Sequence, residues 1–287
     1  MSAPVERAEK RRKEGLNDAP IGIFDSGVGG LTVMKAVMRR LPYESICYFG
    51  DNARGPYGPR DLREIREFAL EIAVFLEDLG VKLIVIACNS ATSAGLLEVQ
   101  RRCRVPVLGV LEPGARGAVQ ATHNRRIGVI GTQATISSRA YLKAIHALDA
   151  GAKVHSRACP SLVDFVERGE VEGPGVREEV RRYLAPLLRR GVDTLILGCT
   201  HYPLISGVIG EEAGGGVSLI SSDEEVAREV EENLVRRGYL RGSPVPPSYR
   251  FMCSGDIEQA IGLGRIFLGP EVEKVERVRL PLRVAAG

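Results

Sequence analysis

Apolar, β-branched runs alternate along the chain with segments in which apolar residues recur every three or four positions. The first pattern is typical of buried strands in a parallel sheet, and the second is typical of helices that cover such a sheet. The alternation therefore predicts an α/β fold with mainly parallel sheets flanked by helices. The predicted strands are residues 21–24, 46–49, 83–87, 105–110, 127–130, 194–197 and 250–253.

Two of the predicted helices have clear boundary signals. Asp61 can cap a helix with Glu64 three residues on, and a run of apolar residues at helical spacing follows it and ends before Gly80. A second helix is predicted over residues 176–190, where Pro186 predicts a kink or a lost hydrogen bond.

The two halves of the chain repeat one loose pattern. Residues 21–27 and residues 126–132 each predict a strand, a small polar turn and then a helix. Each is followed later in the chain by a predicted strand that ends at a cysteine. Because open α/β sheets form their ligand crevices at the carboxyl ends of the strands, two such halves would place one cysteine each on a shared cleft.

Composition excludes several classes of function. The formal net charge is only +3 over 287 residues, with acids and bases interleaved, so we expect no nucleic acid as a partner. No apolar run has the length of a membrane span, and residues 1–19 lack the apolar core of a secretory signal. We interpret residues 1–19 as a flexible extension. We expect no membrane association and a cytoplasmic location, where the six cysteines would be reduced thiols.

Two short cysteine motifs carry the strongest chemical signal. Cys88 and Cys199 each end a predicted strand and precede small polar residues and a helical pattern. A helix N-terminus at that place can favour a thiolate, so both thiols are candidate proton carriers that face one substrate from opposite sides. The alternative for either cysteine alone is a small buried hydrophobic residue. The cysteines that lack this polar context, which we assign to core or surface, are Cys47, Cys103, Cys159 and Cys253.

Polar turns near other strand ends add candidate ligand-binding residues. The Gly-rich loop of residues 25–30 lacks the glycine spacing of a nucleotide-binding loop. Asp25 in this loop is either a carboxylate that points into the cleft or the cap of the next helix. Residues 50–58 form a long polar loop of the kind that often holds substrate, although ordinary turns have the same composition. His201 follows Cys199 closely, but no second ligand pair has metal-site spacing, so we expect no metal and interpret His201 as a proton partner.

Together these ordered motifs resemble the cofactor-independent aspartate/glutamate racemase family, and within it the glutamate racemases. The resemblance runs from about residue 21 to about residue 268. One departure is Ser90, where the family more often has threonine, and the segment before Ala19 lies outside the family core. The motifs that carry the resemblance are residues 22–30, 51–58, 87–92, 130–132 with Thr135, and 198–204.

The resemblance implies two pseudo-symmetric α/β domains with the active site in the cleft between them. Residues 20–113 together with residues 222–287 would form the first domain, and residues 114–221 would form the second. The implied activity is the reversible conversion of L-glutamate to D-glutamate for peptidoglycan, with a small-molecule substrate and no cofactor. The implied assembly is a homodimer.

The resemblance also implies roles for individual residues. Cys88 would take the α-proton from D-glutamate and Cys199 from L-glutamate. Asp25 and His201 would assist the two thiols, with Glu167 a weaker candidate beside His201. The implied substrate contacts are Asp25, Ser26, Tyr57, Gly58, Asn89, Ser90, Thr132, Thr135, Thr200 and His201.

Racemisation without a cofactor requires that the protein itself stabilise a carbanion. A racemase without pyridoxal phosphate must stabilise a carbanion with hydrogen-bond donors in a water-poor cleft, since the chain has no lysine in a persuasive pyridoxal context. Ser26, Asn89 and Thr200, with nearby backbone N–H groups, are suitable donors for the substrate carboxylate.

Three alternatives are compatible with the same residues. A racemase of this family could act on aspartate or a hydantoin, and a panel of amino acids would separate the substrates. A non-catalytic amino-acid-binding protein with the same two-lobed architecture would need neither cysteine. A redox dithiol protein is a third alternative, although the motifs lack the C-x-x-C spacing.

Overall fold

The computed structural model describes residues 17–242 and 245–280, which form strands and helices in regular alternation. The strands are β1 (Ile21–Asp25), β2 (Ile46–Gly50), β3 (Leu83–Ile86), β4 (Val107–Gly109), β5 (Arg126–Gly131), β6 (Lys153–Ala158), β7 (Thr194–Gly198), β8 (Ser218–Ile220), β9 (Tyr249–Cys253) and β10 (Val275–Arg277). The helices are α1 (Leu31–Arg40), α2 (Leu62–Asp78), α3 (Asn89–Arg102), α4 (Leu111–Ala121), α5 (Gln133–Ser137), α6 (Ala140–Leu148), α7 (Ser161–Glu167), α8 (Pro174–Leu188), α9 (Ser206–Ala213), α10 (Asp223–Arg237) and α11 (Ile257–Phe267). A 3₁₀ turn spans Tyr202–Ile205.

The strands form two sheets, each parallel throughout the described residues. The first sheet has the order β10-β9-β2-β1-β3-β4 and therefore takes strands from both ends of the chain. The second sheet has the order β6-β5-β7-β8 and is built from the middle of the chain. The predicted α/β class with parallel sheets flanked by helices is confirmed. The division at residues 113/114 and 221/222 stays a prediction.

Three strands lacked a signal in the sequence. β6 contains only exposed and half-buried residues, and β8 and β10 contain three residues each. All three lie at the edges of their sheets, where one side of the strand has no neighbour and continuous apolar character is not required. All seven predicted strands are present, and the edge strand β4 is shorter than the predicted segment of residues 105–110.

The two helices with clear boundary signals are present with small differences. The Asp61 side chain accepts a hydrogen bond of 2.7 Å from the backbone N–H of Arg63 and so caps α2. Glu64 does not complete the capping box and instead pairs with Arg60 at 2.7 Å. Helix α8 continues through Pro186, which has no N–H to donate within the helix.

The strand order determines where polar side chains meet. In the first sheet, β1 lies between β2 and β3, and in the second sheet, β5 lies between β6 and β7. The carboxyl ends of neighbouring parallel strands share one edge of a sheet, so the residues after β1 and β3, and after β5 and β7, are brought together. In the described part of the chain, no helix combines the length and the apolar character that a membrane crossing requires.

Candidate active site

A cavity of about 490 Å³ lies where the carboxyl-end loops of the two sheets meet. Cys88, which follows β3 of the first sheet, and Cys199, which follows β7 of the second, both line it. The two predicted thiols therefore share one pocket and reach it from different sheets. The other lining residues are Ser26, Pro56, Tyr57, Gly58, Pro59, Asn89, Ser90, Thr132, Gln133, Pro160, Val163, Asp164, Thr200 and His201.

Cys88 lies beside a carboxylate in a buried setting. It occupies the N-cap position of α3, is 5% exposed, and its Sγ donates to Ser26 Oγ at 3.7 Å. Burial and the neighbouring Asp25 carboxylate raise the pKa of the Cys88 thiol well above its ordinary value. The helix N-terminus was expected to favour the thiolate. Loss of hydration and a nearby negative charge outweigh that effect.

Asp25 is the last residue of β1 and lies behind the cavity lining rather than on it. It is 0% exposed, accepts a hydrogen bond from the Gly27 N–H at 3.2 Å, and accepts one from Thr200 Oγ1 at 3.4 Å. Burial raises the pKa of Asp25, although the His201 charge and the N–H groups of the loop act in the opposite direction. The alternative of a helix cap does not hold, because α1 begins after Gly30 with no side-chain cap.

Cys199 has a basic neighbour instead. Its Sγ lies 3.7 Å from Nδ1 of His201, and Nε2 of the same ring lies 3.2 Å from Oε1 of Glu167 at the end of α7. Burial lowers the pKa of His201, but hydrogen bonds to Cys199 and Glu167 and the Asp25 charge outweigh it and raise the pKa from 6.5 to about 10. Phe267 of α11 packs edge-on against the imidazole with ring centroids 5.5 Å apart.

The Gly-rich loop of the first sheet touches the His201 motif of the second sheet. A Cβ added at Gly29 would lie 2.4 Å from Thr200 Oγ1 and 2.8 Å from His201 Nδ1. Real Cβ atoms do not approach other atoms so closely, and a side chain here would push the imidazole off Cys199. Each sheet with its helices forms one lobe of the protein, and the loop needs glycine because the two lobes approach closely here. A phosphate-binding role is not required to explain the glycines.

A network of side-chain hydroxyls links α3 of the first sheet to the start of α5 of the second sheet at the pocket. Ser90 Oγ and Thr132 Oγ1 are 2.8 Å apart, and Thr132 Oγ1 donates to Thr135 Oγ1 at 3.0 Å. The Ala134 N–H donates to the Gly58 carbonyl at 3.0 Å, which is a second link between loops of the two sheets. These contacts hold the two lobes together around the cavity.

The predicted site residues fall into two groups. Eight of the predicted substrate contacts line the cavity, namely Ser26, Tyr57, Gly58, Asn89, Ser90, Thr132, Thr200 and His201. Asp25, Thr135 and Glu167 lie behind that lining and contact it through Thr200, Thr132 and His201 respectively. Tyr57 is held by a hydrogen bond from its hydroxyl to Asp51, which the sequence had placed in the same loop without a role.

Some residues of the pocket were not among the candidates that the sequence analysis named. The missed lining residues are Pro56, Pro59, Gln133, Pro160, Val163 and Asp164. Pro56 and Pro59 lie within or beside the predicted polar loop, and Val163 and Asp164 lie in the segment before Glu167, so proximity to those motifs was the available signal. Among the described residues, no group of three or more His, Cys, Asp or Glu side chains is arranged to hold a metal ion.

The arrangement suits proton transfer at one carbon atom. Two thiols in one pocket can act as acid and base toward a bound molecule, and each has an ionisable neighbour, Asp25 for Cys88 and His201 for Cys199. The hydroxyl and amide groups between them are donors for an anionic ligand.

Comparison with known proteins gives a consistent result. A family model described as Asp/Glu/Hydantoin racemase matches residues 25–230. A curated protein named glutamate racemase from Beutenbergia cavernae is 49% identical over 93% of this chain and 99% of its own length. The crystal structure of glutamate racemase isoform RacE1 from Bacillus anthracis has a TM-score of 0.88 and 45% identity, covering 92% of this chain and 98% of that one. A glutamate racemase from Francisella tularensis, solved in complex with D-glutamate, has a TM-score of 0.87 and 36% identity, covering 92% and 99%.

Proposed function

Since the chain belongs to the Asp/Glu/Hydantoin racemase family, we propose that it interconverts L-glutamate and D-glutamate and so supplies D-glutamate for peptidoglycan synthesis. As a member of this family it is an isomerase. The relatives that share about half of its residues over almost their whole length carry the name glutamate racemase, which favours glutamate over aspartate or a hydantoin.

The observation that carries the proposal is the position of the two thiols. Cys88 and Cys199 come from equivalent strand ends of different sheets and line one cavity. Racemisation removes a proton from one face of the α-carbon and returns a proton to the other face, and a single base would have to cross the plane of the substrate. Two thiols from opposite lobes meet that requirement without movement of either base.

The charges around the thiols support a starting state for the cycle. We assign the thiolate at rest to Cys199, next to the His201 imidazolium, and the thiol to Cys88, whose pKa is raised. Cys199 then takes the α-proton of L-glutamate, and Cys88 gives its proton to the opposite face to form D-glutamate. The reverse reaction begins with Cys88 as thiolate and Cys199 as thiol.

The supporting residues have different tasks in this scheme. Glu167 holds the His201 ring through Nε2, which leaves Nδ1 directed at Cys199. Asp25, whose pKa is raised by burial, is a second site for the proton that leaves Cys88. Cys88, Cys199, Asp25 and His201 are buried, whereas the Glu167 side chain is 35% exposed.

The carbanion would be stabilised by hydrogen-bond donors, since the scheme uses no pyridoxal phosphate or other cofactor. Ser26 and Asn89 line the pocket between the two thiols' motifs and can donate to the α-carboxylate as negative charge develops on it. Thr200 also lines the pocket and can donate there when its hydroxyl turns from Asp25. The backbone N–H groups of Tyr57 and Gly58 are further donors for the second carboxylate of glutamate. The hydroxyls of Ser90 and Thr132 can serve the same carboxylate when they turn from their bonds to each other and to Thr135.

The location and the assembly are part of the proposal. Thiols that act as acid and base must be reduced, which favours the cytoplasm, and none of the six cysteines is in a disulfide. The homodimer is proposed on the resemblance to the family.

A direct assay tests the function. Purified protein is mixed with L-glutamate or D-glutamate without added cofactor, and circular dichroism is followed until the signal is constant, with aspartate in parallel. The proposal predicts that both enantiomers of glutamate decay to the same zero signal. No decay, together with binding of glutamate that survives removal of both thiols, would instead support the amino-acid-binding protein.

A further inference from the structure

Tyr141 lies beside the pocket without lining it, and neither the motifs nor the proposed chemistry gives it a role. It is in the first turn of α6, on the second sheet's side of the cleft, and is 2% exposed. Its hydroxyl donates a hydrogen bond of 2.8 Å to Oδ1 of Asn89, the first residue of α3 on the first sheet's side. This contact therefore joins the two lobes at a residue that faces the substrate.

The bond fixes the direction of the Asn89 carboxamide. The group has an acceptor oxygen on one side and an NH₂ donor on the other, so an oxygen bound to Tyr141 turns the NH₂ away from the tyrosine. Asn89 lines the cavity and is 3% exposed, so the cavity is where that donor is available. Without a donor at Oδ1, the carboxamide can rotate and present its oxygen to an anionic ligand.

The surroundings keep Tyr141 in place as a donor. Cβ atoms added at Gly198 and Gly114 would come within 3.1 Å and 3.3 Å of the Tyr141 ring and hydroxyl, so two glycines make room for the side chain. Burial and the nearby Cys199 raise the pKa of Tyr141 above its ordinary value, which keeps the hydroxyl protonated.

We propose that Tyr141 is a positioning residue for the racemase reaction, which directs the NH₂ of Asn89 at the substrate carboxylate. The inference rests on the proposed function.

A double-mutant cycle tests this. The four proteins are wild type, Tyr141→Phe, Asn89→Ala and the double variant, and the control is Tyr183→Phe, which removes another buried hydroxyl, 2.9 Å from Ser161. For each protein, kcat and KM for both enantiomers, the Kd for D-glutamate by calorimetry and the thermal unfolding midpoint are measured.

The expected pattern separates positioning from stability. Loss of one hydrogen bond that acts through Asn89 should lower kcat/KM about tenfold in Tyr141→Phe. The same substitution in the Asn89→Ala background should change kcat/KM, or Kd where turnover is too slow, by less than about twofold. Tyr183→Phe should leave kcat and KM unchanged.

Three results would overturn the inference. The first is an equal loss of kcat/KM from Tyr141→Phe in the wild-type and Asn89→Ala backgrounds. The second is no loss of kcat/KM when Tyr141→Phe is introduced into the wild-type protein, and the third is a loss that Tyr183→Phe matches. The proposed function is tested separately by wild-type turnover, because a wild-type protein that racemises glutamate while the cycle is additive refutes only the role of Tyr141.

Discussion

The two thiols of the pocket occupy equivalent places in the two sheets but have opposite electrostatic surroundings. Cys88 follows β3 beside the buried carboxylate of Asp25, and its pKa is raised. Cys199 follows β7 beside His201, whose own pKa is raised to about 10. Cys88 therefore lies beside a buried carboxyl group, and Cys199 lies beside an imidazole whose raised pKa keeps it cationic at neutral pH.

The difference follows from the residues that end the neighbouring strands. In the first sheet, β1 lies next to β3 and ends at Asp25, whereas in the second sheet, β5 lies next to β7 and is followed by the neutral Thr132. The second lobe obtains its charge from His201 in the same turn as the thiol. Two lobes of similar topology thus provide an acid on one side and a base on the other, which is the condition for a reaction that uses both.

The largest effect is expected when either thiol is removed. Cys88→Ala and Cys199→Ala should each lower kcat for glutamate racemisation by about 10³-fold or more, because each removes a proton carrier that the other cannot replace. The rates are measured by circular dichroism, and thermal unfolding checks that the variants are folded.

The matched control is Cys103→Ala, since Cys103 lies at the end of α3, outside the cavity. Full turnover by either pocket variant would contradict the assignment of the two bases.

A smaller effect is expected when the cation beside Cys199 is removed. His201→Asn should reduce kcat by about 10²-fold, since the thiolate loses its charged neighbour while both thiols are kept. His123→Asn, at an exposed position of the second lobe, should have wild-type rates. If His201→Asn were as active as this control, a cationic neighbour of Cys199 would not be needed, and the proposed difference between the two thiols would be contradicted.

The smallest effect is expected at Glu167. Its substitution weakens the positive charge beside Cys199, and so the difference between the surroundings of the two thiols, without abolishing it. Glu167→Gln removes one of the groups that raise the pKa of His201, so the imidazole should lose its proton at a lower pH. NMR titration of the His201 ring measures this directly, with Glu170→Gln as the control. An unchanged His201 titration would show that Glu167 does not act on the ring.

The same variant gives a prediction for stability. A folded-state pKa raised to about 10 contributes stability that is complete below the unfolded value of about 6.5 and is lost as pH rises through about 10. The Glu167 side chain is 35% exposed, so the pair should contribute only about 0.5–1 kcal/mol. Wild type should therefore exceed Glu167→Gln in free energy of unfolding at pH 6, and the two should converge above pH 10 in urea titrations.

Much of the fold could be predicted because its central strands are buried on both faces. β1, β3, β5 and β7 are almost entirely buried apolar runs, and such runs give a strong signal. The edge strand β6 has no fully buried residue, and its position depends on pairing with β5, which the local sequence does not encode. Helix α2 was predictable for the same local reason as the strands, because its cap and apolar face lie within one segment.

The site was predictable where function depends on a motif and not where it depends on the meeting of distant segments. Cys88 and His201 lie in short polar motifs directly after strands. Tyr141 is a buried tyrosine on a helix, which has the pattern of a core residue, and its bond to Asn89 exists only because α6 and α3, which are distant in sequence, meet in the fold. Val163 and Asp164 reach the pocket for the same reason.

The central claim is that two different thiols serve the two faces of one α-carbon, and racemisation in deuterium oxide tests it most directly. The reaction is started from protiated L-glutamate, and the α-deuterium content of both enantiomers is measured at low conversion by mass spectrometry after chiral separation. Two bases predict that the first D-glutamate carries deuterium while the remaining L-glutamate is still protiated, because the proton added comes from a solvent-equilibrated Cys88. D-glutamate that retains the original proton would contradict the account, since one base would then have carried it across.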